Sequence, residues 1–68
     1  MYTKTIIVKL LARNSESAFR KLAIVCETHG WMNPSVFALF RSHDRWSFTF
    51  DVAATKSDHA TITEMEID

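Results

Sequence analysis

Apolar and polar positions along the chain change period several times, and each change marks an element. From Thr3 to Leu11 the residues are β-branched or apolar, which reads as a strand. Ile6, Val8 and Leu10 fall on one side of it, Ile7 and Leu11 on the other. Asn14 and Ser15 then offer a helix N-cap, with Glu16 in the first turn where a negative charge is favoured. Ser15, Ala18, Phe19, Leu22, Val25, Cys26 and His29 recur every three or four residues, an amphipathic stripe that leaves Arg20, Lys21 and Glu27 outside. Gly30 is placed to end this helix in a left-handed conformation, with Trp31 folding back onto Cys26 or Val25. Pro34 biases Asn33 to extended geometry. Ser35–Arg41 is the second strand, with Phe37 and Leu39 opposing Val36, Ala38 and Phe40. Residues 42–45 read as a four-residue hairpin loop, and Trp46–Val52 as a third strand of strict alternation. Thr55–Asp58 is turn-like. The last ten residues suit a strand around Ile62 better than a short acidic helix capped at Ser57–Asp58.

The predicted order is therefore β-α-β-β with a terminal strand. The right-handed crossover rule makes the first two strands parallel, and the hairpin inserts the third between them. The result is a single α+β domain over residues 1–68, a split βαβ, half-ferredoxin-like sheet with one helix on one face. A terminal strand adds beside the first. Ile6, Val8, Leu10, Phe19, Leu22, Val25, Cys26, Phe48 and Phe50 form the expected core, although which sheet face meets the helix turns on one residue of register. Strands apolar on both sides, with one helix to cover them, imply that a partner or a second copy covers the other face. The candidate docking residues are Ile7, Leu11, Val36 and Phe40, with Arg41, Arg45 and Trp46 at the hairpin.

Size strengthens this expectation. A chain of 68 residues buries only ~60% of the surface its unfolded form exposes, so small domains lean on disulfides, metals or oligomerisation. A single cysteine, Cys26, excludes an internal disulfide and a cysteine-rich metal site, which leaves oligomerisation, here a homodimer. The apolar run before Ala12 is broken by Lys9, lacks a small-residue cleavage site and is too short to span a bilayer, so a cytoplasmic location with no membrane partner is expected. Eight basic and eight acidic residues balance, yet residues 1–34 hold five basic against two acidic and residues 35–68 three against six. Nonspecific nucleic-acid binding needs a basic excess, whereas this polarity suits charge-steered protein contacts.

Candidate chemistry is sparse. Cys26 and His29 lie within one helical turn, but a helix C-terminus disfavours a thiolate. His43–Asp44 and His59–Asp58 form two His-Asp pairs whose spacing matches no metal signature. One glycine excludes a phosphate-cradling loop. Trp46, Phe48 and Phe50, with Lys9, Arg41 and Arg45, form the alternative: a stacking surface for single-stranded nucleic acid. The segment Ala54-Thr55-Lys56-Ser57-Asp58, followed by Ile62 and Glu64, resembles the entry to the last helix of the small DNA-damage-inducible modulators of RecA. That resemblance implies a βαββ start and an acidic C-terminal helix. The order helix, His29-Gly30-Trp31, strand, Ser42-His43 resembles HicA-type toxins and implies RNA cleavage with His43 as the catalytic residue; Arg41 stands where that family has glycine. The principal expectation is a small regulatory or inhibitory protein-binding module, not an enzyme and without a cofactor.

Overall fold

The computed structural model describes residues 2–67. It is an α+β structure with one helix and a four-stranded mixed sheet: β1 (Tyr2–Leu11), α1 (Ser15–His29), β2 (Ser35–Ser42), β3 (Arg45–Ala54) and β4 (Ile62–Ile67). The sheet order is β2-β3-β1-β4. β3 is antiparallel to both β1 and β2, so the two strands joined through the helix run parallel with β3 between them. β4 lies beside β1 and parallel to it. The terminal segment is thus a strand, and the acidic helix implied by the RecA-modulator resemblance is not formed there.

The helix is bounded as its sequence dictates. The Asn14 side chain accepts a hydrogen bond from the Ser17 backbone N–H at 2.8 Å, and Gly30 closes the other end at φ 71°. The backbone N–H groups of Gly30 and Trp31 donate to the Glu27 and Cys26 carbonyls, which satisfies the last turn. Ile6, Val8 and Leu10 of β1 and Trp46, Phe48, Phe50 and Val52 of β3 are buried beneath Ala18, Leu22, Val25 and Cys26 of α1. Met65 and Ile67 extend this core under β4. Phe19 departs from expectation: its ring meets Phe48 edge-on at 5.2 Å, but it remains 47% exposed at the margin of the helix.

Two details of β2 differ from the sequence reading. The hairpin loop is only His43–Asp44, with Ser42 paired to Arg45, and His43 supplies the positive φ (55°) that a two-residue turn requires. A bulge between Val36 and Ala38 shifts the alternation. Val36 therefore shares the helix side with Leu39 and Arg41, opposite Phe50, Phe48 and Trp46, while Ala38 and Phe40 face the other side.

Residues 55–61 carry the chain from β3 to β4 across the start of β1. The Ala60 N–H donates to Thr3 O and the Thr5 N–H to Thr61 O, both at 3.1 Å. Lys4 Nζ reaches Asp58 Oδ2 at 3.5 Å, and the rings of Tyr2 and His59 tilt together at 4.8 Å. A connection this short cannot reverse the chain a second time, so β4 runs in the same sense as β1.

Candidate functional site

The helix-free face of the sheet is not the apolar surface that the alternation implied. Across β3 it presents Ser47, Thr49 and Asp51, with Thr5, Lys9 and Arg45 beside them. Thr5 Oγ1 donates to Asp51 Oδ1 at 2.9 Å, and Lys9 Nζ pairs with Glu64 Oε1 at 2.6 Å. That hydrogen bond, with the charge of Glu64 behind it, raises the Lys9 pKa above its ordinary value. Ile7, Leu11, Ala38, Phe40 and Ile62 are set among these polar groups. The expectation of a wholly apolar second face is corrected on this point: small and charged residues of β3 and β4 break it up.

Exposed apolar surface is instead concentrated along β2. This strand forms one edge of the sheet, and Val36 (39%), Phe37 (62%), Leu39 (46%) and Phe40 (77%) all remain open to solvent. The helix packs on β1 and β3 and does not reach over β2. Between them runs an apolar cleft lined by Phe19, Ala23, Cys26, Met32 and Val36. Edge strands of soluble proteins are usually blunted by charge, proline, a bulge or brevity, and β2 has the bulge at Phe37. β2 is eight residues long, and its only charge is Arg41 near its end. The opposite edge, β4, carries Glu64 and Glu66.

The seven expected docking residues divide between the two faces. Ile7, Leu11, Phe40 and Arg45 share the helix-free side, where Leu11, Phe40 and Arg45 line one end of a shallow cleft with Lys9 and Glu66. Val36 and Arg41 lie on the helix side. Trp46 is part of the core, 4% exposed with its indole N–H donating to Ala12 O at 2.9 Å, and it also lines that same shallow cleft. The Arg41 guanidinium lies 4.7 Å over its ring and is anchored by hydrogen bonds to the His43 and Arg13 carbonyls. Sequence alternation located the apolar side chains of β2, but the docking set omits Phe37, the bulged residue, and Leu39, both of them exposed; the bulge itself leaves no composition signal.

The remaining candidates are not assembled into chemistry. Trp46, Phe48 and Phe50 lie under α1, so they offer no stacking platform to a nucleic acid. Cys26 is buried, which raises its thiol pKa, and His29 stacks on Trp31 at 4.5 Å. His43 lies beyond the Leu11 end of β1 and His59 beside Tyr2, about 30 Å apart at strand rise over ten residues. Among the described residues no three His, Cys, Asp or Glu side chains gather as a metal site, and no helix is long and apolar enough to cross a membrane. No protein-family model, curated protein or solved structure matches this chain.

Proposed function

We propose that this chain is a small regulatory or inhibitory protein-binding module of a reducing, cytoplasmic compartment, and that it takes its partner along β2. One observation carries the reading: the longest run of exposed apolar side chains lies on a sheet edge interrupted only by one bulge and Arg41, where free backbone groups and apolar contacts can be satisfied together. The β1-α1-β2-β3 unit is read as half of a ferredoxin-like arrangement, with the single helix leaving the β2 side open. The unpaired, buried Cys26 suits the compartment.

Site-specific photo-crosslinking in the native cell tests this reading. A photoreactive residue in place of Phe40 is expected to give discrete protein adducts. The same residue in place of Thr28, exposed on the helix, is expected to give few. Equal yields at both positions, or none at Phe40, would refute the proposal.

A further inference from the structure

We infer that β2 pairs antiparallel with β2 of a second copy across a two-fold axis beside Phe40, joining two four-stranded sheets into one of eight strands. The inference rests on β2 being the docking edge and adds the identity of its occupant.

Backbone geometry sets the register. In the two-residue turn the Ser42 carbonyl accepts from the Arg45 N–H, so Ser42/Arg45 is a hydrogen-bonded pair. Hydrogen-bonded and non-hydrogen-bonded pairs alternate in an antiparallel ladder. Phe40 and Ala38 therefore spend their backbone groups on β3, while those of Arg41 and Leu39 point out of the sheet. The bulge ends the regular run at Ala38, leaving 38–42 as the straight segment. An antiparallel copy satisfies both outward residues when Leu39 meets Arg41 of the other chain. Phe40 then faces its own copy at the non-hydrogen-bonded position, where side chains come closest. Ala38 opposite Ser42 leaves room for the two rings.

Charge selects this edge over the other. Self-pairing of β4 about Met65 would set Glu64 against Glu66 of the second copy, a like-charge pair that destabilises a sheet. In β2 the one charge, Arg41, is drawn back over its own Trp46 and onto its own carbonyls. The apolar side chains within the paired segment are Ala38, Leu39 and Phe40. At roughly 200 Å² per phenylalanine, Phe40 exposes about 150 Å² per chain, and Leu39 is 46% exposed. The interface is therefore a small one, in the range of weak, reversible contacts.

The test is light scattering over roughly 1 µM to 1 mM, an affinity range suited to an interface of that size, on the wild type, Phe40→Lys, Phe40→Glu and an equimolar mixture of the two variants. The expected result is a concentration-dependent wild-type dimer, two monomeric variants and a restored dimer in the mixture. Amide exchange needs no substitution: Leu39 and Arg41 should lose protection on dilution. A wild-type monomer at every concentration overturns the inference. So does a dimer indifferent to both substitutions, a mixture that stays monomeric, growth beyond dimers, or dimerisation without protection of those two amides. A monomer that still crosslinks a different protein through position 40 overturns the second copy alone and leaves the docking edge standing.

Discussion

Replacing Trp46 with phenylalanine tests the placement of this residue in the core. The substitution keeps an aromatic ring but removes the indole N–H, so the buried Ala12 carbonyl loses its donor at 2.9 Å. A buried acceptor left unpaired costs about 1–3 kcal/mol. The smaller ring gives up on the order of 40 Å² of apolar burial, about 1 kcal/mol at 25 cal/mol per Å². The guanidinium of Arg41 loses its best aromatic partner, about 0.5 kcal/mol at a partly exposed site. Together these amount to about 3 kcal/mol. A domain of this size is stable by only about 3–10 kcal/mol, so the variant should be near its unfolding threshold. The expected fall in Tm is about 12–24 °C. Urea titration at one fixed protein concentration, followed by the fluorescence of Trp31 and by circular dichroism, measures the loss without mixing in self-association. Arg41→Ala, which touches only the exposed side of the ring, should cost less than about 1 kcal/mol. A Trp46→Phe loss below that of Arg41→Ala would refute the core assignment.

Other substitutions probe the elements that hold β2 in place. Gly30→Ala meets no atom within 4 Å, so its cost comes from the left-handed backbone alone. About 1–2 kcal/mol is expected in a urea titration, with the fold retained. Asn14→Ala removes the acceptor for the Ser17 N–H and should cost about 1 kcal/mol, restored by Asn14→Asp. Burial holds the Cys26 thiol above its ordinary 9.0, so the folded chain keeps a proton that the unfolded chain releases. That contribution is complete below about pH 9 and fades as pH rises through the folded value. Alkylation of Cys26 should accordingly be slow in buffer and fast in urea; equal rates would contradict its burial.

The fold was legible wherever one residue type had one physical use. Asn14 and Gly30 bounded the helix, and the alternation of Trp46, Phe48, Phe50 and Val52 identified the central strand. The crossover rule then made β1 and β2 parallel, and the terminal strand adds beside β1 as expected. Misreadings gathered in β2 and just before it, where Asn33 takes a left-handed φ of 51° and not the extended geometry that Pro34 favours. A bulge depends on the backbone geometry of the strand opposite, so nothing in Val36-Phe37-Ala38 announces that Val36 will side with Leu39. His43 at positive φ made the loop two residues shorter than Ser42-His43-Asp44-Arg45 suggested. Of the docking candidates, Leu11, Val36 and Phe40 were legible as apolar and are exposed, but their grouping was not legible. Face assignment follows from register, and the register shift at Phe37 moved Val36 away from Phe40.

The crossing of residues 55–61 over the start of β1 has a kinetic consequence. β1 is hydrogen-bonded on one side to β3 and on the other to β4, whose paired residues lie 34 to 57 positions further along the chain. Neither side of its ladder can form until loops of that length have closed. Such distant pairings slow folding relative to a domain built from neighbouring segments. Removing Ile62–Ile67 should therefore leave β1 as the uncovered flank of the sheet.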